Sequence, residues 1–285
     1  PTLHPDFVDF VCYLKERGFE ICVFTNGIVS GKRLEEMKSH LTGIPVEGLS
    51  FVCNLNHPEQ TPAPEEEVGK IRDFLEVMGP WSQPGFNIYR LDFDLGFLFD
   101  LVNRYGMKRT LRLGMTQPLP GRGNEFIRPE EIGKVIDRLY SYRPLMDRMR
   151  IKPGLDCGFP VCKFTDEQLG WLHRLSGRAR FECGPAIDIT PDMSIYACFP
   201  LSSFHRKSIF DFDDMKQVTE YYTNIHYRLR EELPGIYDAC DGCVSRNEGL
   251  CSGGGVCQLL DRFTGEASIR MPEIEDELAK NRLPV

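Results

Sequence analysis

Hydrophobic and polar positions along the chain follow two regimes. Up to about residue 145, helical and strand periodicities alternate. Pro5 suits a first helical position, and Phe7, Phe10, Val11 and Leu14 follow at helical spacing until Gly18 closes the segment. A strand is expected over Phe19–Phe24, ending in Thr25-Asn26-Gly27. Leu34, Met37 and Leu41 mark a second helix, Leu49–Asn54 a second strand, and Val68, Ile71 and Leu75 a third helix. The acidic start of that third helix, Glu65–Glu67, suits the positive end of a helix dipole. Further strands are expected near Asn87–Leu91 and Thr110–Thr116, with helices near Leu95–Tyr105 and from Pro129 onward. Strands that alternate with single helices imply parallel βαβ units, and hence a doubly wound sheet or a (β/α) barrel.

From about residue 147 this alternation stops, and cysteine, glycine and aromatic residues become frequent. Helices are expected over Thr165–Leu175 and Asp211–Leu229, with a hairpin over Ile187–Phe199 that turns near Pro191-Asp192. The pattern divides the chain into residues 1–146, residues 147–262 and a charged tail, 263–285.

Composition narrows the function. The chain has 285 residues, 41% hydrophobic and 27% charged, with a net charge of −8, which suits an ordinary globular protein. That charge disfavours a protein built around nucleic-acid phosphates. No apolar run is long enough to span a bilayer, and the N-terminus has no signal-peptide pattern, so neither membrane nor nucleic acid is an expected partner and a cytoplasmic location is expected. The chain does not begin with Met, and we expect it to start inside a longer protein.

The 11 cysteines divide into two groups. Cys12, Cys22 and Cys53 lie in apolar stretches and are expected in the core. The other eight, Cys157, Cys162, Cys183, Cys198, Cys240, Cys243, Cys251 and Cys257, allow disulfides, zinc or iron–sulfur clusters. The Cys240-Asp-Gly-Cys243 spacing favours a metal or cluster, because two thiolates three positions apart can meet one centre. The scattered histidines form no His-x3-His pair, and no Gly-x-Ser-x-Gly elbow occurs. Asp92 and Asp94 suit either acid–base chemistry or a solvated turn. Gly121-Arg122-Gly123-Asn124-Glu125 suits either a surface loop or a cover over substrate. No catalytic residue is identified.

Pro1-Thr2-Leu3-His4-Pro5, the amphipathic helix and the strand ending in Thr-Asn-Gly together resemble the middle of a radical S-adenosylmethionine (radical SAM) enzyme. Cys183-x14-Cys198 followed by Cys240-x2-Cys243, Cys251 and Cys257 around Gly253-Gly254-Gly255 is similar to the SPASM or twitch auxiliary-cluster domain. Three features depart from that pattern. Met193-Ser194 stand where glycine is usual, Cys-x2-Cys-x7-Cys-x5-Cys is wider than usual, and the last downstream cysteine is missing.

The resemblance implies an α/β fold: a partial TIM-like (β/α)6 radical SAM barrel joined to a small cysteine-rich α+β auxiliary-cluster domain. The first two barrel strands and the Cys-x3-Cys-x2-Cys loop of the catalytic cluster would lie outside this chain, which alone should not cleave S-adenosylmethionine. Thr25, Asn26, Asn54 and Gly114 would contact S-adenosylmethionine. Either one auxiliary [4Fe-4S] cluster, on Cys183, Cys198, Cys240 and Cys243, or two, on all eight distal cysteines, would move electrons. The substrate would be a peptide or a small molecule, and the electron donor a flavodoxin or ferredoxin. The rivals are a non-enzymatic zinc-stapled binding or regulatory domain, and a dithiol redox protein using Cys240 and Cys243.

Overall fold

A computed structural model describes residues 1–120, 123–176 and 181–263. Gly121 and Arg122 of the glycine-rich loop, and all of the expected tail beyond Phe263, lie outside the described residues.

The N-terminal part builds a five-stranded parallel sheet in the order β1-β2-β3-β4-β5. Its elements run α1 (Phe7–Glu16), β1 (Ile21–Thr25), α2 (Gly31–Leu41), β2 (Leu49–Asn54), α3 (Glu65–Met78), β3 (Ser82–Ile88), α4 (Gly96–Tyr105), β4 (Thr110–Met115), α5 (Ile132–Ser141), α6 (Arg143–Met149) and β5 (Lys152–Leu155). Sequence-ordered neighbours joined by single helices are what repeated βαβ units produce. This is an α/β fold with a parallel sheet, in keeping with part of a radical SAM barrel.

The helix-facing side of the sheet is apolar. Leu49, Phe51 and Cys53 of β2 are fully buried, and Phe51 meets Phe74 of α3 edge-on at 5.6 Å between ring centres. Leu34, Met37 and Leu41 of α2 and Ile132, Val135, Ile136 and Leu139 of α5 bury as their spacing anticipates.

Four local expectations change. In α1 the buried residues are Phe7, Val8 and Val11, while Phe10 faces outward, because the apolar stripe is wider than the face that packs. The third strand lies at Ser82–Ile88, earlier than expected, because Phe51 pairs with Ser82 and draws Pro84-Gly85 into the ladder. Lys152–Leu155 forms a fifth strand against β4, although Lys-Pro-Gly-Leu has little strand character of its own. Cys22, expected in the core, is exposed, because alternation along β1 buries Val23 and Thr25 and turns Cys22 and Phe24 to the other face. Cys12 is half-buried and Cys53 fully buried.

The later elements are α7 (Asp166–Ser176), β6 (Asp188–Ile189), β7 (Ser194–Tyr196), β8 (Lys207–Ser208), α8 (Met215–Glu232), α9 (Val244–Asn247) and α10 (Val256–Arg262). β6, β7 and β8 make a small antiparallel sheet, with Ile189 opposite Ile195 and Ser194 opposite Ser208. Tyr222 of α8 is fully buried, and its hydroxyl donates to the Ile195 and His205 carbonyls at 2.8 and 2.9 Å. Arg246 donates to the carbonyls of Arg230, Leu233 and Pro234, so one guanidinium closes the C-terminal end of α8.

The chain separates into two compact units that interleave in sequence. One comprises Pro1–Gly114, Lys134–Asp156 and Glu167–Ala179; the other comprises Met115–Gly133, Cys157–Asp166 and the chain from Arg180 onward.

The β6–β7 turn explains one departure from the SPASM pattern. Met193 takes φ of +62°, the left-handed conformation that glycine supplies without steric cost. Met193→Gly should therefore raise stability by up to about 1 kcal/mol in urea unfolding. Tyr222→Phe leaves two buried carbonyls unpaired and should cost about 1–3 kcal/mol in the same measurement.

Candidate functional site

The face of the sheet opposite the helices carries a polar row near the strands' C-terminal ends, where barrel enzymes place their chemistry. Arg112 of β4 anchors it. Its guanidinium pairs with Asp156 and donates to Asn54 Oδ1 and Asn87 Oδ1, both at 3.2 Å. It also lies 5.2 Å from the ring centre of Phe24. Burial pushes the Asp156 carboxyl up, and Arg112 works against that shift.

Two glycines leave room beside this row. An added Cβ at Gly114 would stand 3.1 Å from Asn87 Oδ1 and 3.3 Å from Asp156 Oδ2. One at Gly85 would stand 2.6 Å from Asn54 Oδ1. Asn54 and Gly114, expected to contact S-adenosylmethionine, therefore share one site. Thr25 and Asn26 are engaged in the turn after β1, where Thr25 Oγ1 accepts from Gly27 N–H and Asn26 Oδ1 from Ile28 N–H, both at 3.1 Å. Arg112, Asn87 and Asp156 were missed in the sequence. Their available signal was a polar residue at each inward position of an otherwise apolar strand, as in Leu111-Arg112-Leu113-Gly114.

Beyond β2 and β3, His57 and Asp94 form a bonded chain. His57 Nδ1 accepts from the Glu59 and Gln60 backbone N–H groups at 3.2 and 3.3 Å, which leaves its proton on Nε2, 3.4 Å from Asp94. Asp94 Oδ1 accepts from the Tyr142 hydroxyl at 2.7 Å and from Gly96 N–H at 3.0 Å. Burial works to raise the Asp94 carboxyl, but these donors and His57 outweigh it and hold it below the usual carboxylate value. Asp94 thus fixes the loop, and Asp92 pairs with Arg90.

In the cysteine-rich unit, backbone pairing draws distant segments together. Phe181 bridges to Cys251 in parallel fashion, Ser252 N–H donates to the Phe181 carbonyl at 3.1 Å, and Cys183 N–H donates to Ser252 Oγ at 2.7 Å. Ile236 N–H donates to the Gly253 carbonyl at 2.9 Å, which lays the Gly235 region beside the same strand. Gly235 has φ of +118°, and an added Cβ there would stand 2.8 Å from Cys240 Sγ. Gly253 N–H donates to Cys251 Sγ at 3.4 Å.

These contacts sort the eight cysteines. Burial pushes the Cys257 thiol well up, and Cys183, Cys157 and Cys198 are close enough to add to it. Gln117 joins two of these: its amide nitrogen donates to the Cys157 carbonyl at 3.5 Å, and Cys257 Sγ donates to its oxygen at 3.6 Å. Burial likewise raises Cys162, and Cys251 and Cys240 add to that shift. Tyr237 ties this second group together. Its ring lies 4.0 Å from Lys163 Nζ, and its carbonyl accepts from Cys240 N–H at 3.0 Å. Cys243 N–H donates to the Cys240 carbonyl at 3.3 Å. Cys157, Cys183, Cys198 and Cys257 are thus neighbours, as are Cys162, Cys240 and Cys251, while Cys243 adjoins Cys240 in the chain.

None of the eight forms a disulfide, and among the described residues no three His, Cys, Asp or Glu side chains lie close enough to hold a single metal ion. Buried donors without partners nevertheless lie beside this group: Nε and Nη2 of Arg230, whose charge reaches Cys183, and Nε2 of Gln258, next to Cys257 in the chain. None of these was singled out in the sequence.

Comparison with solved structures finds a likeness across nearly the whole chain. Native anSMEcpe, solved with bound AdoMet (S-adenosylmethionine) and the Kp18Cys peptide, superposes with a TM-score of 0.54 at 15% identity. The match covers 97% of this chain and 83% of that one. The likeness is one of fold. No family model matches the chain, and no curated protein matches it. No helix among the described residues is long and apolar enough to cross a membrane.

The Asp94 network makes a testable pH signature. A carboxyl held below its unfolded value contributes stability that is present above about pH 3.9 and is lost as pH falls through its folded value. Asp94→Asn should lower stability at pH 7 and leave little difference from the parent at pH 2–3, read as urea midpoints across that range.

Proposed function

We propose that the chain is the greater part of a radical SAM enzyme acting on a peptide, with two auxiliary [4Fe-4S] clusters that carry electrons. What supports this reading is that Cys157, Cys183, Cys198 and Cys257 are neighbours, and Cys162, Cys240 and Cys251 likewise, within a fold like that of anSMEcpe; we assign Cys243 to the second set. A cubane takes four thiolates, and eight match two fully ligated clusters. The neighbour's bound AdoMet and peptide favour the same ligands here.

The donor chemistry fits such clusters. One zinc ion needs its sulfurs about 3.8 Å apart, given bonds of about 2.3 Å in a tetrahedron. A cubane spreads its four thiolates over a wider tetrahedron, and the absence of a compact ligand trio among the described residues suits the wider spacing better. Unpartnered N–H groups beside Cys183 and Cys257 suit an anionic group rich in sulfur acceptors. In the second set, Cys162 supplies from upstream the ligand that the SPASM pattern places downstream. The sets have no open coordination position, so their role is to pass electrons.

S-adenosylmethionine, when bound, supplies a 5′-deoxyadenosyl radical that takes a hydrogen atom from the substrate. In this chain, Asn54 and Gly114 would bound the nucleoside, with Thr25 and Asn26 at the neighbouring strand end. Arg112 holds Asn54 and Asn87 in place, and the absence of a Cβ at Gly85 and Gly114 lets these polar side chains pack close to the strands. The electron donor would be a flavodoxin or ferredoxin.

Anaerobic reconstitution with iron and sulfide tests the reading. The chain should take up about eight iron and eight sulfide. Cys162→Ser and Cys157→Ser should each remove about four of each, and the double variant nearly all. Zinc uptake without sulfide would replace this reading with the zinc-stapled domain.

A further inference from the structure

Helix α8 turns two polar residues, His226 and Arg230, toward Cys183 from successive turns. His226 is 2% exposed, and its ring lies against the Cys183 backbone. Arg230 is half-buried, yet its Nε and Nη2 atoms are shielded from solvent and donate to nothing. From the α10 side, Gln258 is 3% exposed. Its carbonyl oxygen accepts from Gly255 N–H at 2.8 Å, while its Nε2 is buried and unpartnered.

A buried donor without an acceptor costs roughly 1–3 kcal/mol, and more when it is charged. Arg230 and Gln258 leave such donors near Cys183 and Cys257, and a sulfur-rich anion would satisfy both. The charge of Arg230 reaches Cys183 and opposes the effect of burial on that thiol. Around the second set a different cation acts: Lys163 lies on the Tyr237 ring, and its charge reaches Cys162.

We propose that Arg230, assisted by the Gln258 amide, is the built-in counter-cation of the cluster on Cys157, Cys183, Cys198 and Cys257, and raises its reduction potential. This rests on the cluster reading above. A cubane held by four thiolates is an anion that gains one further negative charge on reduction, so an adjacent fixed cation and N–H donors to sulfur favour the reduced form. Arg230 is a positioning residue for charge and touches no substrate.

The test is a dithionite titration of the anaerobically reconstituted 285-residue chain, followed by electron paramagnetic resonance. Arg230→Gln should lower the potential of one cluster by at least about 59 mV, a tenfold change in its one-electron reduction constant, and leave the other where it was. Arg230→Lys should recover part of the shift, and Gln258→Leu should lower the same potential by less. Loss of about four iron and four sulfide in Arg230→Gln, with the other cluster intact, also supports the assignment, and Gln258→Leu then supplies the shift. Two full clusters with unmoved potentials in both Arg230→Gln and Gln258→Leu overturn the counter-cation role alone. A parent chain that binds no iron and sulfide overturns the cluster reading and this inference with it.

Discussion

The cysteine-rich unit is organised by the cost of removing thiolates from water. Cys183, Cys240, Cys251 and Cys257 are all buried, and burial holds Cys183 and Cys257 in the protonated form. Core hydrophobes alone would not need the features packed around them. Gly235 lets the backbone pass against Cys240, Gly253 brings an N–H to Cys251, and Ser252 fixes Cys183 from the facing strand. Each feature makes sense when a negatively charged group displaces those protons. The Tyr222 and Arg246 contacts then keep α8, the helix carrying Arg230, in register with that group.

The N-terminal unit follows a different logic. Its helix-facing side is close-packed, while the opposite face near the strand ends is glycine-lined and polar. Barrel interiors without ligands are usually filled by branched apolar side chains. Here Arg112 joins β2, β3 and the end of β5 through Asn54, Asn87 and Asp156 instead. The arrangement ties three strand ends together through one guanidinium.

Much of this was legible in the sequence where local chemistry decides the structure. Alternating periodicities specified the parallel α/β sheet, and Pro191-Asp192 marked the β6–β7 turn. The spacing of the distal cysteines drew attention to the residues that the fold then sorts into two sets. Features set by long-range pairing were not legible. β5 exists because β4 offers it a partner, and Cys22 is exposed because alternation along β1 decides its face. The two-set division depends on Gln117 and Tyr237, whose neighbours are distant in sequence. Arg230 and Gln258 resemble any residues on amphipathic helices until burial without partners singles them out.

Interleaving of the two units constrains how this protein is made and how it can be divided. The polypeptide passes from one unit to the other five times between Gly114 and Arg180. No single cut separates them, and a recombinant piece beginning near residue 147 would lack Gln117, which bridges Cys157 and Cys257. During synthesis, the sheet can pair strand by strand as it emerges, whereas the cysteine-rich unit stays open until Cys257 leaves the ribosome. Its earlier thiols therefore stay unshielded until that later segment has emerged.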